Sequence, residues 1–363
     1  MEIVRPRRRI ALIAPPWLPV PPTAYGGTEI VIDRLARGYL AAGHEVLLYT
    51  TGDSTCPVPR AWVHEESAPQ QLGQLFVKLH HLVYAYEAVA DFDIIHDHTT
   101  VGPAYGSCRT DAKIVATNHG PFSKPLNEIY ERVMPHHSLI AISHDQASRS
   151  TVPVDAVIHH GVGLDEFPFG AGDGGYFVFL GRFDAIKGPH DAILAAREAG
   201  VELLLAAKMR DLSEVEYFRT EIKPLLGGSI RYVGEIGMQE KVELLGSAKG
   251  LLNPIQWPEP FGLVMIEALA CGTPVLSYRA GSAPEIVDHG KTGFLCNNVA
   301  ELVSAISRVD ELDRAACRQA VAERFTTERM VADHLDLFER LLQEERPAPI
   351  SDGGFPIGRD GSV

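Results

Sequence analysis

The chain has 363 residues, 45% of them hydrophobic and 22% charged, with a formal net charge of −14. At about 100–200 residues per domain, this length predicts two domains, each able to bury a core. The acidic balance argues against a nucleic-acid backbone or an anionic membrane surface as partner, because both attract Lys/Arg-rich surfaces. The one basic run, Arg5, Arg7, Arg8 and Arg9, reads as a solubilising tail before the first strand. Five cysteines (Cys56, Cys108, Cys271, Cys296 and Cys317) are widely spaced with no C-x-x-C. That argues against a disulfide framework or a structural zinc site and fits a reducing cytoplasm. The apolar run IALIA is broken by Pro15 and Pro16 before it reaches signal-peptide length, and no stretch approaches the roughly 18 residues of a membrane helix.

In chain order, residues 8–14 (RRIALIA) read as a buried strand. Residues 28–43 read as a helix, with Ile32, Leu35, Ala36, Tyr39 and Leu40 at helical spacing and Gly43 as its stop. Strands are predicted at 44–50, 93–98, 113–120, 138–143 and 155–161, with a helix over 71–90. Residues 161–175 are rich in Gly, Pro and Asp and read as an interdomain linker. The rhythm then restarts. Strands are predicted at 176–181, 201–207, 229–234, 250–254 and 273–278. Helices are predicted at 187–199, 213–223, 299–308, 311–323 and 326–344. Strand–helix–strand alternation means a parallel sheet covered on both faces. The fold class is therefore α/β, with two tandem doubly wound, Rossmann-like domains facing a cleft. Domain bounds are 1–165 and 170–330, the helix near 330–344 packs back onto the first domain, and 346–363 forms a disordered tail. In open α/β sheets ligands bind beyond the carboxyl ends of the strands.

Four constellations fall at such ends. In YGGTE, Gly26 and Gly27 open a helix, where glycine permits close backbone approach and free N–H groups face an anion. This is not G-x-G-x-x-G, so the dinucleotide fingerprint is absent. A plain turn is the alternative. In LGRFDAIKG, Arg182 and Lys187 follow a strand, and two cations there suit a diphosphate; a solvated loop is the alternative. His119, in TNHGPF, ends another strand and belongs at the cleft. The pair His96 and His98 is not a usual ligand set, and Asp91 and Asp93 of DFD lie at the amino end of a strand, so no metal is expected. Finally, WPEPFGLVMIEALACGTPV carries Glu259 in a loop held open by Pro258 and Pro260. Glu267 lies in the second turn of a helix over Leu263–Ala270. Ionised carboxylates accept hydrogen bonds, which suits ligand hydroxyls. A helix-start charge for Glu259 and an internal salt bridge for Glu267 are the alternatives.

In this order the motifs resemble the family 4 glycosyltransferases, retaining enzymes of GT-B fold that use nucleotide-sugar donors. The resemblance runs from about Ile10 to Leu342 and includes PEIVDHGKTGFL at 284–295. It implies that Arg182 and Lys187 hold the donor diphosphate as leaving group. It implies that Gly26 and Gly27 present N–H groups to the same phosphates and that Glu267 binds the ribose. Glu259, with the backbone of Phe261, Gly262 and Leu263, would contact the transferred sugar, with His119 beside the sugar ring. No metal is needed if the two cations carry the charge. The implied partners are a UDP- or GDP-sugar and a small-molecule or glycan acceptor, in the cytoplasm. The chain departs from many members at HGVGLDEF (160–167) and at Asn253–Gln256, which bear on the hinge and on donor choice. A nucleotide-sugar 2-epimerase and a non-catalytic sugar-nucleotide binder are the competing readings.

Overall fold

A computed structural model describes residues 6–23, 26–107 and 109–344. Arg5, Tyr25, Cys108 and the expected tail from Arg346 lie outside the described residues. Seven strands form the first sheet: β1 (Arg9–Ile13), β2 (Glu45–Thr50), β3 (Arg60–Trp62), β4 (Ile94–Asp97), β5 (Lys113–Thr117), β6 (Ser138–Ala141) and β7 (Ala156–Val157). Their order is β3-β2-β1-β4-β5-β6-β7, parallel throughout. The second sheet contains β8 (Tyr176–Arg182), β9 (Glu202–Lys208), β10 (Ile230–Gly234), β11 (Gly250–Asn253), β12 (Val275–Tyr278) and β13 (Gly293–Cys296). Its order is β10-β9-β8-β11-β12-β13, also parallel. Both sheets are thus doubly wound, and both reverse direction beside their first strand. The crevices at a topological switch point lie between β1 and β4 and between β8 and β11.

The sequence explains the strands. Central ones such as Ile10–Ile13 and Leu203–Ala207 are unbroken apolar runs because helices cover both faces of a parallel sheet. β3 was not legible because it is a short, half-exposed edge strand with no apolar run. The structure adds a helix that the strand–helix rhythm does not predict, Lys124–Val133, capped by Ser123 and opened by Pro125. The helix Thr327–Gln343 lies on the first domain, where Met330, Leu335 and Phe338 share a core with Leu35 and Tyr39 of the helix Gly27–Ala41. Arg8 grips Glu339 from the first domain through two hydrogen bonds of 2.8 and 2.7 Å.

The segment read as a linker is packed. Phe167 is fully buried, and Arg318 donates to its carbonyl at 2.6 Å and to that of Leu164 at 3.0 Å. The chain crosses between domains twice, and the crossings lie side by side. Val162 N donates to Phe325 O at 2.9 Å, and Thr327 N to Val162 O at 3.1 Å. A Cβ on Gly161 would sit 2.2 Å from Thr326 O. Gly161→Val is therefore expected to lower the unfolding free energy by about 1–3 kcal/mol, the usual scale of overpacking, as read by denaturant titration.

Candidate active site in the interdomain cleft

The carboxyl ends of the two sheets enclose a cleft of about 480 Å³ lined from both domains. From the first domain it is lined by the Gly26–Gly27 turn, His119 and His160, among others. From the second it is lined by Lys187, Glu259 and Glu267, with Phe261, Gly262 and Leu263 between the two glutamates. Two helices begin here, Gly27–Ala41 and Leu263–Ala270. Their starts meet across the cleft: a Cβ on Gly27 would lie 3.5 Å from Leu263 Cδ1. The starts of two helices, where first-turn N–H groups lack a full set of intrahelical partners, therefore border one space. Gly262 sets the second start with φ +83°, which only glycine adopts without strain. At Gly26 a Cβ would press on Pro22 at 2.8 Å, so this turn also excludes a side chain.

Lys187 and Glu259 form a short ion pair, and Trp257 Nε1 donates to the same Glu259 oxygen at 2.7 Å. The ammonium also lies 5.3 Å from the Trp257 ring centre. The LGRFDAIKG loop is pressed onto the strand β11 exit, since a Cβ on Gly188 would reach Pro254 O at 2.0 Å. That contact holds Lys187 over the Glu259 loop. Glu267 is 7% exposed in its side chain and pairs with Lys241 at 2.7 Å through Oε1. Its internal salt bridge is thus present, and the pair itself lines the cleft.

Arg182 stands apart. Its guanidinium is paired with Glu214 and, at 3.4 Å, with Asp184, and it is not among the residues lining the cleft. Glu214 is almost wholly buried and also accepts the Arg210 N–H. Opposite Arg182 in the β8–β9 register is Lys208, which does line the cleft. Burial and then the neighbouring Arg210 push the Lys208 pKa down. Sequence reasoning passed over Lys208 and Lys241. Lys208 closes the strand it found at 201–207, so its position at a strand end was a usable signal. Lys241 rides on the helix Met238–Ser247, whose mixed polar and apolar residues do not mark it in the sequence.

His119 Nε2 lies 2.8 Å from His98 Nδ1, and its ring stacks on His160 at 5.2 Å. His96, His98 and His334 extend this cluster inward. Burial, with a smaller contribution from His334, pushes His119 down to about 3, so it is neutral at pH 7. Burial likewise takes His334 to about 4 and His81 to about 4, and lowers His96, His98 and His160. An unfolded histidine protonates near 6.5. Below that pH the unfolded chain binds protons that the folded chain refuses, so stability falls with pH. The melting temperature is expected to hold above pH 7 and to drop steadily from pH 6.5 to 5, as measured by scanning calorimetry.

His96 and His98 are thus tied into this cluster. His96 Nε2 also lies 2.7 Å from Thr117 Oγ1, and its Nδ1 3.2 Å from the Tyr39 hydroxyl. Asp91 and Asp93 are engaged by Arg9 at 3.0 and 2.8 Å, at the amino end of the sheet. Among the described residues one group, His144, His159 and Glu285, has metal-ligand spacing, at the domain junction outside the cleft lining. No described helix is long and apolar enough to cross a membrane.

Two family models divide the chain between them. Glycosyltransferase Family 4 matches residues 25–166, and Glycosyl transferases group 1 matches residues 166–324. Among characterised proteins, a phosphatidyl-myo-inositol mannosyltransferase of Mycolicibacterium smegmatis is 28% identical over 319 residues, covering 79% of this chain and 80% of its own. An N-acetyl-alpha-D-glucosaminyl L-malate synthase of Bacillus anthracis is 32% identical over 123 residues, only 32% of either chain. The sucrose-phosphate synthase structure from Thermosynechococcus elongatus superposes with TM-score 0.76 at 22% identity, over 92% of this chain and 99% of that one. Fold and cleft thus define a GT-B glycosyltransferase. Within that class the chain belongs to glycosyltransferase family 4.

Proposed function

We propose that the cleft binds a nucleoside-diphosphate sugar, a UDP- or GDP-sugar, and transfers its hexosyl group with retention to an acceptor hydroxyl, without a metal. The observation that carries this is the Lys187–Glu259 pair set beside two converging helix starts at the switch points of both sheets. Charge develops on the diphosphate as the glycosidic bond breaks. Preorganised cations and helix N–H groups stabilise it there without reorganisation. In this reading Lys187 and Lys208 face the phosphates, Arg182 swings from Glu214 to join them, and the Gly26–Gly27 start donates N–H groups. Glu259 and the Phe261–Leu263 backbone hold the sugar, Glu267 takes the ribose through the oxygen that Lys241 does not hold, and neutral His119 faces the ring. Retention follows from attack on the leaving-group face, with a donor phosphate oxygen taking the acceptor proton.

A bound ligand raises the melting temperature, so a thermal-shift screen of UDP-, GDP- and ADP-sugars is expected to name the donor. Nucleoside diphosphate should then be released only with acceptor present; its release without one, leaving a rearranged sugar, would instead indicate an epimerase. EDTA should leave the rate largely intact, and complete loss restored by Mn²⁺ would overturn the metal-free account.

A further inference from the structure

We propose that Glu285 is a positioning residue for transfer: its carboxylate fixes the first domain against the loop that carries Glu259. The proposal rests on the transferase reading of the cleft, and two sets of contacts meet in this side chain.

The first set runs to the loop. Ser282 N donates to Glu259 O at 3.0 Å, and Ser282 Oγ donates to Phe261 O. Gly281, at φ +55°, lies so close that a Cβ would come within 2.4 Å of Glu259 N and O. The backbone of Glu259–Phe261 is therefore moulded on Gly281 and Ser282. The short helix Ala283–Ile286, which carries Glu285, starts at the next residue.

The second set crosses to the other domain. Glu285 Oε2 accepts from His144 N and Oε1 from Asp145 N, both at 2.8 Å. His159 Nε2 lies 2.8 Å from Oε2. His144 and Asp145 follow β6, and Ile142 just before them lines the cleft. The His159 ring lies 5.7 Å from Phe261, and its neighbour His160 lies 5.1 Å from the same ring. Burial works to raise the Glu285 pKa, but the bonds from His159, Asp145 and His144 outweigh it and hold the carboxyl below its ordinary value. One ionised carboxylate thus joins a first-domain turn, the hinge histidine and, through Ser282, the Glu259 loop. Because GT-B domains contribute opposite walls of one cleft, a shift here changes the distance between donor and acceptor walls. Rates are sensitive to such displacement.

The test compares Glu285→Ala and Glu285→Gln with wild type by amide hydrogen exchange and by kinetics. In Glu285→Ala, the His144 and Asp145 amides are expected to exchange about tenfold faster or more, the scale of losing a charge-assisted bond. Faster exchange should spread to the Ser282 amide, which reports on the Glu259 loop. Glu285→Gln, which keeps one acceptor oxygen, should be intermediate and provides a folded variant if the alanine form is unstable. Turnover should fall about tenfold or more while UDP or GDP affinity changes by less than about twofold, because an interaction realised in the transition state affects kcat. A purely structural role would lower the melting temperature and leave turnover per nucleotide-binding site unchanged. Unchanged Ser282 exchange, or unchanged turnover per site, overturns the proposal. If wild type transfers sugar from no donor, the transferase reading itself fails, and the exchange data still decide whether Glu285 couples the turn to the loop.

Discussion

Lys187→Ala is expected to lower turnover by about 10²–10³-fold, the scale of removing one transition-state stabiliser. Lys187 faces the cleft, is fixed over the Glu259 loop by the tight Gly188–Pro254 approach, and is ion-paired in the resting protein. A diphosphate arriving at the helix starts draws the ammonium from Glu259 and leaves that carboxylate to a sugar hydroxyl. Removing the lysine should therefore leave the phosphate charge unbalanced as the glycosidic bond breaks. Lys187→Arg is not expected to rescue fully, because a planar fork replaces a compact point charge. The check is the steady-state rate with the donor named by thermal shift, alongside a melting curve that shows the variant is folded. An unchanged rate would remove Lys187 from the site.

Arg182→Ala is the second large effect, and the structure makes it two effects. Turnover is expected to fall by about 10²–10³-fold. Stability should also fall, because Glu214 is 3% exposed and loses its guanidinium partner. Glu214 keeps the Arg210 N–H and Arg182 is itself partly exposed, so the cost is about 1–3 kcal/mol, the scale of depriving a buried acceptor of one partner. The double variant Arg182→Ala with Glu214→Gln separates the two. Neutralising Glu214 should restore much of the melting temperature and none of the rate. If it restores both, Arg182 supports the fold only and its role at the diphosphate is lost.

The strand rhythm was legible because parallel strands buried on both faces are unbroken apolar runs. Leu263–Ala270 was found residue for residue, since Pro260 and Gly262 mark its start and Gly272 and Pro274 its end. The cleft followed from the alternation alone, because strand ends at a switch point are where a doubly wound sheet leaves room. Short or half-exposed elements such as β3 and the helix Met238–Ser247 carry too little periodicity to stand out, and Lys241 was lost with that helix.

What the sequence determined by itself was local. It set which residues are apolar in runs, which glycines and prolines start and stop helices, and which charged groups follow strands. Pairing was decided only in three dimensions. Lys187 with Glu259 spans 72 positions, Arg182 with Glu214 spans 32 and Glu285 with His144 spans 141. No periodicity encodes such partners, because they depend on how two sheets and a twice-crossed hinge bring distant loops together. For the same reason the two glutamates of one short segment have different surroundings. Glu259 meets a lysine from the β8 exit, and Glu267 meets one from a helix the sequence did not announce.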